Sequence, residues 1–122
     1  MEKKQKSILV IDDESDVCEI LEQFLVQEGY RVYLAFNGDE GIKKYIERRP
    51  DGVLLDIALP GKNGIEVLRE LKKIDPDCNV IMITAYRDAE KVVEAFRLGA
   101  YDCIFKPFDF DYLRKALMAK LI

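Results

Sequence analysis

Short apolar runs alternate along this chain with longer stretches whose apolar residues recur at helical spacing. Strands are expected at Ile8–Ile11, Arg31–Ala35, Gly52–Asp56, Val80–Thr84 and Cys103–Lys106. Between the first two, Val17, Ile20, Leu21, Phe24 and Leu25 fall at i, i+3, i+4, i+7 and i+8, the stripe of a core-facing helix. Further stripes follow at Ile42, Tyr45 and Ile46, at Ile65, Leu68 and Leu71, at Val92, Val93 and Phe96, and at Phe110, Leu113 and Leu117. The strand runs are continuously apolar rather than alternating, as strands buried on both faces of a parallel sheet require. Turn chemistry separates the segments: Glu28-Gly29, Asn37-Gly38, Pro50-Asp51-Gly52, Pro60-Gly61, Asn63-Gly64, Asp75-Pro76-Asp77 and Leu98-Gly99.

A strand–helix unit repeated five times predicts an α/β fold, (βα)5, with a parallel sheet and right-handed crossovers. The common doubly wound order for five strands is 2-1-3-4-5, the flavodoxin-like arrangement. That order is taken from the fold rule, because periodicity gives strands and not their neighbours. The 122 residues match one domain, and no linker or low-complexity stretch divides residues 1–122.

Composition narrows the function classes. The net charge is −4, which gives no support for a nucleic-acid footprint. No apolar run reaches the ~18 residues of a membrane span. The charged start, Met1 to Lys6, lacks the features of a signal peptide, so a cytoplasmic location is expected. Cys18, Cys78 and Cys103 are expected to be small buried residues rather than a disulfide or zinc set. The chain has no histidine, which excludes a Ser-His-Asp or Cys-His catalyst and a phosphohistidine carrier.

The candidate chemistry lies at the strand ends. Asp12 and Asp13 follow the first apolar run and Asp56 ends the third. In the order 2-1-3-4-5 those strands are neighbours, so three carboxylates converge at the topological switch point. Like charges that close are costly unless a cation sits among them. Thr84 ends the fourth strand and Lys106 the fifth, adding a hydroxyl and an ammonium at the same sheet edge. Each residue alone has an ordinary reading: a helix cap for Asp12 or Asp13, a loop acid for Asp56, a strand-end hydroxyl for Thr84, a solvated amine for Lys106. Their joint occurrence at different carboxyl ends of one sheet favours a site.

Four motifs in order, Val10-Ile11-Asp12-Asp13-Glu14, Leu54-Leu55-Asp56-Ile57-Ala58-Leu59-Pro60-Gly61-Lys62-Asn63-Gly64, Ile83-Thr84-Ala85, and Gly99-Ala100 through Lys106-Pro107-Phe108, resemble the receiver domain of two-component response regulators. The resemblance covers almost the whole chain. It implies that Asp56 is the phosphoacceptor and takes a phosphoryl group from the phosphohistidine of a sensor histidine kinase or from a phosphotransfer protein. It also implies a Mg²⁺ cofactor held by Asp13, Asp56, Asp12 and the backbone carbonyl of Ala58. Thr84 and Lys106 would contact the phosphoryl oxygens, Ala85 would leave the approach open, and Lys106-Pro107 would be a cis peptide. Such a domain is a switch rather than an enzyme; it catalyses only its own phosphorylation and dephosphorylation. Its partners would include an output domain or a second copy, through helix 4, strand 5 and helix 5, and it would not itself contact nucleic acid or membrane.

One position departs from that pattern. Three residues before the lysine, where the family usually has an aromatic or histidine, stands Cys103. The switch face is therefore expected to move less, or through Tyr101 or Tyr86. Tyr86 and Ala58, each two residues beyond a site residue, are expected to set the lifetime of the acyl phosphate. The chain ends at Leu121-Ile122 in or just after the fifth helix, which fits a stand-alone receiver or a piece of a larger protein; the uncapped apolar pair leans toward the second. Competing readings are weaker. An aspartyl phosphatase would need an acid at Ala58, a flavin-phosphate site would be repelled by Asp12-Asp13, and a phosphorylation-free pseudo-receiver would not need the full set of Asp12, Asp13, Asp56, Thr84 and Lys106.

Overall fold

In the computed structural model, residues 5–85 and 89–121 are described. Strands and helices alternate: β1 (Ser7–Ile11), α1 (Ser15–Gln27), β2 (Arg31–Ala35), α2 (Gly38–Arg48), β3 (Gly52–Asp56), α3 (Gly64–Ile74), β4 (Val80–Thr84), α4 (Ala89–Arg97), β5 (Asp102–Phe105) and α5 (Phe110–Leu121). The sheet order is β2-β1-β3-β4-β5 and every pairing is parallel. Tyr86 lies outside the described residues.

Two cores sit on the two faces of the sheet. On one, Leu9, Ile11, Leu55, Val80 and Met82 meet the inner residues of α2, α3 and α4; on the other, Ile8, Val10, Leu54, Ile81 and Ile83 meet those of α1 and α5. β3 and β4 are buried along their whole length, which is why their sequences carry no polar alternation. Asn37 and Asn63 cap α2 and α3, accepting from the backbone N–H of Glu40 at 2.9 Å and Glu66 at 3.0 Å.

Two sequence expectations shift. β5 covers Asp102–Phe105 rather than Cys103–Lys106. Lys106 still donates its N–H to the Thr84 carbonyl at 2.8 Å, but Pro107 next to it has no N–H to continue the ladder. The expected core stripes also include residues that face out: Ile20, Ile46, Val93 and Phe96 are exposed. On α4 only Ala95 is fully buried, because Val93 and Phe96 are rotated off the narrow face that meets the sheet.

Candidate functional site

The strand register brings the acids together. Ile11 pairs with Leu55, so the next step along both strands sets Asp12 beside Asp56. Asp56 in turn pairs with Ile83, which puts Thr84 one residue further on the adjoining strand. Asp12 and Thr84 are fully buried and Asp56 is 3% exposed, while Asp13 and Ala58 are exposed at the rim. Asp12, Asp13 and Asp56 each offer an oxygen within 4.8 Å of the others.

Lys106 lies across this group. Its Nζ is 2.9 Å from Asp12 Oδ2, 3.3 Å from Asp56 Oδ2 and 3.4 Å from Glu14 Oε1. The peptide bond between Lys106 and Pro107 is cis. The second oxygens are also engaged: Asp12 Oδ1 accepts from the Glu14 N–H at 2.9 Å, and Asp56 Oδ1 from the Ala58 N–H at 3.1 Å. Each buried acid is thus aimed by its own loop.

One ammonium does not offset the charge. Burial, and then the charge of Asp12, push the Asp56 carboxyl up from 3.8 to about 6, although the Ala58 N–H and Lys106 pull the other way. Burial disfavours charge on Lys106, but the hydrogen bond to Asp12 and the charges of Asp56, Asp12 and Glu14 outweigh it and hold the ammonium above the ordinary lysine value. A site that pushes a carboxylate toward neutrality is short of positive charge. Its donors are hard oxygens without histidine, and a dication that prefers one or two carboxylates and keeps its waters fits them.

The register also places the residues around the site, some of them not singled out in the sequence. Phe105 pairs directly with Thr84, whereas Cys103 pairs with Met82 two residues deeper in the sheet. Tyr101 is exposed at the amino end of β5, its ring 5.2 Å from Lys120 Nζ, so the structure does not bring it to Thr84. Cys18 Sγ donates to the Asp12 carbonyl at 3.3 Å from the first turns of α1. Gly64 lets α3 approach the acid-bearing strand: a Cβ there would lie 2.1 Å from the Asp56 carbonyl oxygen and 2.7 Å from Ile57 Cα. A glycine in the first turn of a strong helix stripe was the available signal for that contact.

Fold and site define a flavodoxin-like α/β protein with a carboxylate, hydroxyl and ammonium cluster at the switch point of its sheet. The comparisons make this specific. Residues 8–118 match the family described as Response regulator receiver domain. The chain is 42% identical over 121 residues to the transcriptional regulatory protein ZraR of Klebsiella oxytoca, covering 99% of this chain and 27% of that protein. It is 38% identical over 112 residues to sporulation initiation phosphotransferase F of Bacillus subtilis (strain 168), covering 92% of this chain and 90% of that one. Among solved structures, a CheY-like response regulator receiver domain protein from Methanospirillum hungatei superposes with a TM-score of 0.93 at 33% identity, covering 97% of this chain and 94% of that one. The chain belongs to the response regulator receiver domain family, and it is a phosphoacceptor signalling switch of the two-component type. No helix among the described residues is long and apolar enough to cross a membrane.

Proposed function

We propose that Asp56 is the phosphoacceptor, with residues 1–122 acting as one receiver domain. The observation that carries this is the Asp56 carboxylate, 3% exposed, between Lys106 at 3.3 Å and the oxygens of Asp12 and Asp13. An Asp56 oxygen attacks the phosphorus of a phosphohistidine on a sensor kinase or phosphotransfer protein. The new P–O bond gives an acyl phosphate, and the P–N bond breaks with its electron pair left on the imidazole. Lys106 neutralises one phosphoryl oxygen, and the Thr84 hydroxyl hydrogen-bonds another. The exposed Ala58 and Ala85 leave the approach open.

Asp12, Asp13, Asp56 and the Ala58 carbonyl would hold Mg²⁺, which supplies charge neutralisation and orientation for the transferred group. Burial of Asp12 supports its role as an acid that acts at the base of the site, and exposure of Asp13 supports a direct ligand. The signal leaves through α4, β5 and α5 to an output domain or a second copy. Exposed Val93 and Phe96 on α4, Tyr112 on α5 and Tyr101 just before β5 support this exit, as does a relative such as ZraR, of which this chain spans about a quarter. Cys103, in register beside Met82 two residues short of Thr84, puts a small thiol on that face where the family resemblance leads one to expect a ring, so its movement is small or passes through other residues.

Incubation with acetyl phosphate and mass measurement tests the assignment. One phosphate is expected per chain, dependent on Mg²⁺, labile to hydroxylamine and absent in Asp56→Asn. Uptake that persists in Asp56→Asn, or that proceeds equally with EDTA, overturns it.

A further inference from the structure

Lys62 stands six residues after Asp56 in the loop that joins β3 to α3. Its Nζ reaches both oxygens of Glu70 on α3, at 3.0 and 2.9 Å, and Asp39 Oδ1 in the first turn of α2 at 3.1 Å. One side chain of this loop therefore ties two helices. The backbone repeats the tie. A Cβ at Gly38, the first residue of α2, would lie 3.2 Å from the Lys62 carbonyl oxygen, so loop and helix are already in close contact.

The other end of the loop leaves little slack. Gly64 abuts the Asp56 carbonyl, and its N–H donates to the Ile57 carbonyl at 2.9 Å. Leu59 N–H also donates to Ile57 at 3.2 Å. Between these fixed points lies Ala58, whose N–H orients Asp56 Oδ1. A shift of the loop at Lys62 is thus transmitted to the amide that aims the acceptor.

We propose that Lys62 is a positioning residue for the phosphoacceptor site: by clamping the β3–α3 loop to Glu70, with only a solvent-screened second arm to Asp39, it holds the Ala58 backbone against Asp56. This rests on the reading of Asp56 and Ala58 as acceptor and ligand. Asp39 is 83% exposed and Glu70 41%, so water screens the Asp39 arm and Glu70 carries most of the clamp. Residues that orient a metal ligand from behind change metal affinity by about 10–100-fold when removed. Lys62 acts from one layer further out and from a solvated position, so about 3–10-fold is expected.

The test is an NMR titration of the parent, Lys62→Met, Lys62→Arg, Glu70→Gln and Asp39→Asn proteins. The Ala58 amide is followed first without metal and then with added Mg²⁺. In the metal-free state, Lys62→Met and Glu70→Gln are expected to shift the Ala58 amide and speed its exchange with solvent. Lys62→Arg should restore the parent signal and Asp39→Asn should leave it near parent. The Mg²⁺ midpoints should then rise about 3–10-fold in Lys62→Met and Glu70→Gln. An unmoved Ala58 amide and an unchanged midpoint in Lys62→Met, with the parent binding Mg²⁺, overturns the clamp alone. A parent that shows no Mg²⁺ response at Ala58 or Asp56 overturns the underlying reading of the site and the proposal with it.

Discussion

Replacing Asp56 with asparagine should make the metal-free protein more stable at pH 8 while abolishing its phosphorylation. The magnitude comes from the site's own charge. The Asp56 carboxyl is raised from 3.8 to about 6, which at ~1.36 kcal/mol for each pH unit corresponds to about 3 kcal/mol of cost carried by the ionised form. A group held above its unfolded value contributes its stability below pH 3.8 and loses it as pH rises through about 6. At pH 8 the full cost is therefore present. Asparagine removes it and keeps an oxygen for the Ala58 N–H, but its amide nitrogen faces Lys106 Nζ, which sits 3.3 Å from Asp56 Oδ2. The ~3 kcal/mol is already net of the pull of Lys106 on the carboxylate, and turning an amide N–H toward that ammonium, in place of the neutral acid's oxygen, costs about 1–2 kcal/mol more. Asp12 and Lys106 remain as a pair at 2.9 Å. The net gain should be about 1–2 kcal/mol at pH 8, a rise of about 0.5–1 M in the urea midpoint. At pH 5, between the unfolded value of 3.8 and the folded value of about 6, only about half of the ionisation cost remains, so the gain should shrink to near zero. Chelator-treated parent and variant, unfolded in urea at both pH values, provide the assay. No gain at pH 8, or an equal gain at pH 5, would refute the account of the site as short of positive charge.

Gly64→Ala should cost at least about 2 kcal/mol, because the new methyl meets backbone atoms of Asp56 and Ile57 that cannot move aside; an unchanged denaturation midpoint would contradict that contact. Arg49, the C-cap of α2, has φ 45 and ψ 59, a left-handed conformation better suited to glycine. Arg49→Gly should raise stability by about 0.5 kcal/mol once loss of the cation–π contact with Tyr45, at 5.6 Å, is included. A fall in melting temperature would show that the contact outweighs the strain.

How much of this could be read before the structure depended on the kind of signal each residue carried. Ile8–Ile11 and Val53–Leu55 are apolar without interruption, and that is the mark of strands covered on both sides. Their adjacency was not in the residues; it came from a rule about strand order, which the pairing of β1 with β3 follows. The acids were visible because charge directly after a buried run must emerge at the sheet edge. The end of β5 was less visible, since Lys106 continues one hydrogen bond past the regular strand. Helix 4 misled for a different reason: Val93 and Phe96 have the right hydrophobicity and the wrong rotation. Gly64 and Lys62 looked like turn and surface residues, because their significance lies in distances to Asp56, Glu70 and Asp39 that no spacing encodes.

Three of the strands that lead to the site, β1, β3 and β4, are almost wholly buried: Ile8 to Ile11, Leu54, Leu55, Met82 and Ile83 have no exposed surface. Segments packed in this way open only when the whole domain opens, so their amides should be among the slowest to exchange with deuterium. The carboxylates at their ends cannot relax through a local fluctuation. Anything that quiets their repulsion is therefore registered by the entire fold, and binding at this edge converts directly into a higher melting temperature. A plain thermal-shift plate, with no kinase, phosphodonor or label, could rank cations and phosphate mimics for this pocket.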